Sequence, residues 1–272
     1  MDTEIEIIRW ENGAARACAD HVALEAPLEI QVNGESLAVT MRTPGDDFAL
    51  TAGFLFTESV IRNADDIETL GYGCLKEAPE ERNIMQVTLK TGSIPAFERA
   101  RLERNFLATS SCGVCGKTGL AAVQCLAAPL PEDALKIPAT LFKGLNAQMR
   151  SAQSTFDRTG GLHAAALFTL GGELLNLRED VGRHNAVDKL IGREVLGQRT
   201  PLNTHLLMVS GRTSFEILQK AAMARIPVIC AVSAPSSLAV HLARELNITL
   251  IGFLRGDTMN IYSGAERIVV GG

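Results

Sequence analysis

The spacing of apolar positions changes along this 272-residue chain, and each change predicts a different element. From Leu28 to Val32 apolar and polar residues alternate, as on a strand with one buried face. Asn33-Gly34 follows, a dipeptide suited to two-residue hairpin turns, and Ser36 to Met41 supplies the returning strand. Thr43-Pro44-Gly45-Asp46-Asp47 predicts a helix start, with Thr43 as cap, Pro44 at the first helical position and acids at the positive helix end. Phe48 to Glu58 continues as an apolar helix, and alternation returns from Ile84 to Lys90. Gly92 to Thr109 is polar and irregular.

Beyond a proline-rich stretch, Pro129 to Pro138, the pattern becomes regular. Ala164 to Leu170 and Glu173 to Leu177 read as strands joined by Gly171-Gly172, and a helix follows with Val187, Leu190, Ile191 and Val195 on one face. Three short apolar runs come next: His205 to Val209, Val228 to Val232 and Ile248 to Leu254. Helical segments separate them, one presenting Phe215, Leu218 and Ala222, the other Ala239, Leu242, Ala243 and Leu246. Strands apolar on both faces, alternating with helices, predict parallel strands covered by helices. The expected fold is therefore α/β, a three-layer α/β/α domain over 140–272. A smaller mixed α+β region over 1–108 precedes it, and a flexible loop and linker spans 109–139.

Composition narrows the class without naming a function. Hydrophobic residues make up 46% and charged residues 21% of the chain, as in ordinary globular proteins. A net charge of -5 argues against broad nucleic-acid binding but permits local basic pockets. No apolar run approaches the roughly 18 residues that span a bilayer. Met1-Asp2-Thr3-Glu4 lacks the basic-then-apolar order of a signal peptide, so a cytoplasmic protein with reduced thiols and no membrane partner is expected.

Ligands of such a sheet sit beyond the carboxyl ends of its strands. Three loops are expected there: Ser210-Gly211-Arg212-Thr213-Ser214, Ser233-Ala234-Pro235-Ser236-Ser237 and Arg255-Gly256-Asp257-Thr258. The first two open helices, where free backbone N–H groups attract anions. Arg212 and Arg255 can each add a forked donor for phosphate. Each loop taken alone also reads as simple helix capping; together they point to a phosphate-bearing ligand. Arg178 to Lys189 concentrates polar groups at a strand–helix junction, where an unpaired one costs about 1–3 kcal/mol. His184 and His163 suit a ligand site or a hydrogen-bonded structural role equally.

Of the six cysteines, Cys18, Cys74, Cys125 and Cys230 read as small packing residues. Cys112 and Cys115 differ, because Ser111-Cys112-Gly113-Val114-Cys115-Gly116-Lys117 holds two thiols on a pliable, glycine-rich loop. A structural zinc site needs four ligands, and neither a second Cys-x-x-Cys nor a His-x-x-x-His is present, so no metal is expected. A redox pair belongs at a helix start just after a strand, which the polar segment before Cys112 does not resemble, although thiol–disulfide exchange stays open. Sulfur transfer fits best: a carrier thiolate must reach two partners, and a second thiol can expel the sulfur as hydrosulfide. Lys117 favours the thiolate.

These segments together resemble the FdhD/NarQ family of accessory sulfurtransferases for formate dehydrogenase. The likeness rests on Thr43-Pro44-Gly45-Asp46-Asp47-Phe48-Ala49-Leu50, Ser111-Cys112-Gly113-Val114-Cys115-Gly116, Thr159-Gly160-Gly161-Leu162-His163-Ala164-Ala165, Asp180 to Lys189, Ser210 to Glu216, and Gly252 to Gly256 with Asn260-Ile261-Tyr262.

The resemblance implies a carrier that takes sulfur from a cysteine desulfurase and passes it to the molybdenum (or tungsten) bis-guanine-dinucleotide cofactor before that cofactor enters formate dehydrogenase. It implies the persulfide on Cys112, with Cys115 as partner. It also implies cofactor binding by Phe253, Leu254, Arg255, Gly256, Asp257 and Thr258, beside Gly211, Arg212 and Ser214 from the loop argument. Guanosine diphosphate would mimic that ligand, and a homodimer is the expected assembly. A chaperone that holds the cofactor without transferring sulfur is the alternative. The α/β half is also similar to the cytidine deaminase fold. Deamination is excluded, because His184-Asn185-Ala186 and Gly211 to Phe215 lack the catalytic Glu and both zinc-binding cysteines.

Overall fold

The computed structural model describes residues 1–73, 82–91, 127–132 and 134–269. Its largest sheet combines β8 (His163–Thr169), β9 (Leu174–Asp180), β10 (His205–Val209), β11 (Val228–Ala231), β12 (Thr249–Arg255) and β13 (Thr258–Ser263), in the order β13-β12-β11-β10-β8-β9. Period-two alternation divides the side chains between two faces. Leu207, Val209, Ile229 and Leu250 join one core cluster, while Leu206, Met208, Cys230 and Ile251 join another. The first face is covered by α4 (Arg183–Leu196), α5 (Phe215–Met223) and α6 (Ser237–Glu245), through Val187, Leu190, Leu218, Ala239 and Leu242. The second is covered by α2 (Leu145–Ala152), through Leu145 and Met149, with Phe142 beside them. The expected three-layer α/β/α arrangement is present.

The three central strands are parallel, as expected, and two features go beyond the sequence reading. The sheet is mixed: β10, β11 and β12 pair in parallel, whereas β8 and β13 run antiparallel to their neighbours. The segment after β12, expected only as a loop beyond the last strand, turns back as a hairpin into β13. The Gly171-Gly172 turn marked β8 and β9 as a hairpin, but periodicity reports which faces are buried and not strand direction, so the reversal of β8 against β10 left no mark in the pattern.

A second sheet, β4-β3-β6-β5, is built from β3 (Ala26–Val32), β4 (Glu35–Arg42), β5 (Ile67–Tyr72) and β6 (Ile84–Leu89), and the short β7 (Ile137–Pro138) lies outside both sheets. Asn33 and Gly34 take φ of 52° and 88°, the doubly left-handed turn that matches strand twist. Between this sheet and α4 lies α1 (Asp47–Thr57), and one core cluster runs from Ile30, Val32 and Leu55 through to Leu190 and Leu207. Asp188 of α4 meets Lys220 of α5 at 2.9 Å, and Lys220 Nζ also reaches Thr57 Oγ1 at 3.0 Å and Glu58 at 3.6 Å. Burial pushes the Asp188 carboxyl up, whereas Lys220, also opposed by burial, is held up by Asp188 and Glu58. The two directions compete, and we take the pair as ionised because each charged atom has its partners in contact.

The helix start also differs. α1 begins at Asp47, after Gly45 and Asp46 in left-handed conformations (φ of 95° and 54°), so Thr43 is no cap. Thr43 N instead donates to Asp180 Oδ2 (3.1 Å), its hydroxyl accepts from Val181 N (3.1 Å), and its carbonyl accepts from Lys189 Nζ (2.7 Å). Partners more than 130 positions away override the local capping signal. Among the elements that periodicity did not announce, β1 (Asp2–Glu11) and β2 (Ala14–Ala23) form a separate two-stranded hairpin turned by Asn12-Gly13.

Candidate functional site

The carboxyl ends of β9, β10, β11 and β12 share one edge of the large sheet. Because β8 runs antiparallel to both neighbours, its first residue, His163, lies at that same edge, paired with Asp180. α4, α5 and α6 all begin there, so three positive helix ends face one region. Gly182 before α4 and Ser214 before α5 cap no backbone N–H with a side chain, whereas Ser236 accepts from Ala239 N at 3.2 Å. The start of α4 therefore has N–H groups without a side-chain cap that an anion could take, whereas at α5 the Glu216 carboxylate accepts from its own backbone N–H.

Backbone bonds bring the three sequence-predicted loops together. Thr213 N donates to Ala234 O (3.3 Å), and Ser236 N donates to Thr213 O (2.9 Å). Phe253 N donates to Ser233 O (3.2 Å), and Arg255 Nε donates to Val232 O (3.4 Å). Gly252 permits this approach: a Cβ there would stand 3.0 Å from Pro235 and Tyr262 and 3.1 Å from Ser233 O. Phe253 sits at φ 53° where β12 slips register against β13, a strained conformation for a bulky side chain. The slip places the Arg255 guanidinium 5.6 Å from the Phe253 ring. Leu254 points into the core beside Phe142, while Arg255, Gly256, Asp257 and Thr258 are exposed. Asp257 pairs with Lys143, and Thr258 Oγ1 donates to Arg255 O at 3.0 Å.

Gly211 and Arg212 sit at the centre of the edge, Arg212 exposed and Gly211 within 3.3 Å (measured from an added Cβ) of His163 Nδ1. Thr213 Oγ1 is fully buried without a hydrogen-bond partner among the described residues. Ser214 Oγ donates to Glu216 Oε2 at 2.7 Å and lies 3.3 Å from His184 Nε2, which is itself 3.6 Å from Glu216. The one Ser214 proton is committed to Glu216, so His184 Nε2 must carry the hydrogen that faces Ser214. Burial opposes the Glu216 charge, but the bonds from His184 and Ser214 outweigh it and hold the carboxyl at about 2. This is no nucleophile triad, because the serine proton points to the acid rather than to the imidazole. Burial, with the Arg183 and His184 charges, pushes the His163 imidazole down, keeping it neutral near pH 7.

Two hollows flank the edge. The larger, about 510 Å³, is lined by His163, Ser210 and Val232 on the sheet side and by Arg150, Gln153 and Phe156 on the other. Arg150 lies over the Phe156 ring at 4.6 Å, and Glu179 holds the start of α3 (Ser154–Thr159) by accepting from Thr155 N and Phe156 N at 3.0 and 2.8 Å. The smaller, about 300 Å³, lies under Leu254, Gly256, Asp257 and Thr258, against Phe142 and Lys143. Both volumes suit nucleoside-sized ligands, for which a few hundred Å³ is usual. Sequence reading missed the Arg150–Phe156 wall, which no motif announces; Thr159-Gly160-Gly161-Leu162-His163 was the nearest signal. Cys112 and Cys115 lie outside the described residues.

Fold and edge together define an α/β protein with a cleft at the carboxyl ends of its strands, where three helices begin. Residues 23–269 match the model of the FdhD/NarQ family, and the chain belongs to that family. A sulfur carrier protein FdhD of Streptomyces avermitilis is 51% identical over 97% of this chain and 95% of its own length. One of Sulfolobus acidocaldarius is 43% identical over 97% of this chain and 98% of its own. Among solved structures, a formate dehydrogenase accessory protein of Desulfotalea psychrophila superposes with a TM-score of 0.74 at 25% identity, over 98% of this chain and 99% of that one.

Proposed function

We propose that this chain is a cytoplasmic sulfur carrier for formate dehydrogenase, with Cys112 as the carrier thiol. The observation that carries this reading is the family match across 23–269, which spans both loop cysteines, with relatives named as sulfur carriers at 51% and 43% identity. In the loading step the Cys112 thiolate attacks the outer sulfur of a persulfide on a cysteine desulfurase. A new S–S bond forms on Cys112, and the old one breaks as the desulfurase thiolate leaves. In the release step Cys115 attacks Cys112, forming a disulfide and expelling the sulfane sulfur, two electrons richer, as hydrosulfide. An external thiol then reduces that disulfide.

The acceptor is the molybdenum bis-guanine-dinucleotide cofactor, a substrate whose two diphosphates suit the edge described above. The helix end at Gly182, with Arg212 and Arg255, offers donors to phosphate. The 510 Å³ hollow, with Phe156 under Arg150, suits a planar heterocycle. Incubation with a desulfurase and cysteine should add one sulfur mass to the peptide containing Cys112, and Cys112→Ala should abolish formate dehydrogenase maturation. No added sulfur would favour a cofactor-holding chaperone instead. Arg255→Ala should weaken guanosine diphosphate binding in titration calorimetry, and unchanged binding would move the phosphates elsewhere. Self-association as a homodimer is part of the same proposal.

A further inference from the structure

We infer that the outer edge of β2 is a strand-pairing surface for a second copy of this chain, in a register centred on Cys18. The inference gives a surface to the homodimer proposed above and rests on no part of the sulfur chemistry. β1 and β2 form a sheet of only two strands, ahead of the family match that begins at residue 23. The hairpin is held at its open end, where Asp2 meets Arg158 at 3.0 Å and Leu24 N donates to Met1 O at 3.3 Å. Further along, Ile8 and Trp10 are 70% and 71% exposed, on the same face as exposed Ala15, Ala17 and Ala19. Two strands alone are marginal in water, so an arm of this length gains from added strands.

Turn geometry decides which backbone groups face outward. Asn12 and Gly13 have φ of 52° and 80°, and Glu11 pairs with Ala14. The pair closing a two-residue hairpin is hydrogen-bonded, and bonding alternates from there. Ala14, Arg16, Cys18 and Asp20 thus bond inward to β1. Ala15, Ala17 and Ala19 point N–H and C=O to the free edge, and their short side chains leave the approach clear.

Charge then selects one register. A two-fold axis perpendicular to the sheet sets residues of one face opposite each other, so the two positions in each pair share parity. Centring on Arg16 or Asp20 opposes like charges, and centring on Ala17 or Ala19 pairs neither charge with its opposite. Centring on Cys18 sets Arg16 opposite Asp20 twice and makes Ala17–Ala19 the hydrogen-bonded pairs. Those are the pairs whose backbones already face out. On the edge of β1 the matching register, centred on Trp10 with Arg9 opposite Glu11, overlaps only residues 9–11 before it runs into the Asn12-Gly13 turn, whereas the register on β2 engages most of the strand. Arg16 and Asp20 have side chains 63% and 46% exposed, and their present partners, Glu11 at 3.3 Å and Arg9 at 3.9 Å, are weak surface contacts. Cys18 would face its counterpart in a non-hydrogen-bonded pair, about 4.5 Å between Cα atoms.

Light scattering on the eluted full chain tests this. The wild type should be dimeric, and Arg16→Asp or Asp20→Arg, each creating two like-charge pairs, should raise the dimer dissociation constant about tenfold or more. Arg16→Asp with Asp20→Arg together should restore dimerisation, with circular dichroism confirming the fold throughout. Copper–phenanthroline, removing two electrons as two thiols release two protons, should give a Cys18–Cys18 linked peptide in mass spectrometry that Cys18→Ser lacks. A monomeric wild type, or absence of that linked peptide, overturns the proposal. A dimer indifferent to both charge reversals sinks this surface while leaving self-association through another one.

Discussion

Gly53→Ala offers a direct test of how the two halves of the chain are joined. Gly53 on α1 and Gly192 on α4 face each other where the helices cross. A Cβ on Gly53 would stand 1.9 Å from Asp188 O, 2.6 Å from Asp188 C and 2.9 Å from Gly192 N. From the other side, a Cβ on Gly192 would stand 1.8 Å from Ala49 O. Ordinary contact begins near 3.4 Å, so the helices would have to part by about 1.5 Å. The obstructing atoms are helix backbone and cannot swing aside. Overpacking costs about 1–3 kcal/mol, and we place this change at the upper end, near 3 kcal/mol. At about 2–4 °C per kcal/mol, melting should fall by about 6–12 °C. Alanine's better helix propensity, about 1 kcal/mol over glycine, works against this and is included in placing the value there rather than higher. Gly71→Ala is the control, since nothing lies within 4 Å of its added Cβ. Thermal and urea unfolding followed by circular dichroism would measure both. A Gly53→Ala protein within 0.5 kcal/mol of the wild type would refute the close-packed crossing.

Further outcomes follow from the buried and edge charges. Lys220→Met strands the buried Asp188 carboxylate and should cost about 3–5 kcal/mol, and adding Asp188→Leu should recover most of it in urea denaturation. Equal losses in single and double variants would show that the pair is not ionised. Glu216 titrates lower in the folded chain than its ordinary 4.5, at about 2, so its contribution to stability is complete above about pH 4.5 and is lost as pH falls towards 2. Glu216→Gln should flatten that part of the stability–pH curve, and an unchanged curve would remove Glu216 as its cause. His163 titrates below its ordinary 6.5, so the folded state loses stability as pH drops through 6.5 while the unfolded imidazole takes up its proton first. Its ring protons should show a midpoint below 6.5 by NMR, and a midpoint above 6.5 would contradict the burial argument.

Much of the C-terminal half was legible because its signals are local. Val187, Leu190, Ile191 and Val195 repeat at helical spacing, and all are buried on α4. Asn33-Gly34 announced its turn because left-handed φ at two successive positions admits few residue types. Asn12-Gly13 carried the same signal but was passed over, since adjacent Ile7 and Ile8 and charges on both faces break the alternation of β1. Thr43 misled because a cap signal is only a local preference, and Asp180, Val181 and Lys189 offered its groups better partners. For the site, Arg212, Ser214 and Arg255 could be placed at one sheet edge from strand–helix alternation alone. Arg150, Gln153 and Phe156 could not, since nothing in their own stretch of chain marks them as a wall.

By itself, then, the sequence determined the strands and helices that follow its periodicity, the two-sided burial of the central strands and the family likeness, and it singled out Cys112 and Cys115 as the candidate thiols. Each of these rests on residues near one another in the chain. Tertiary structure alone decided the reversed direction of β8 and β13, the crossing at Gly53 and Gly192, and the bonding of Ser214 to Glu216 beside His184. Those depend on groups that meet only after folding, when the shared burial of α1 and α4 sets distances that no local spacing encodes.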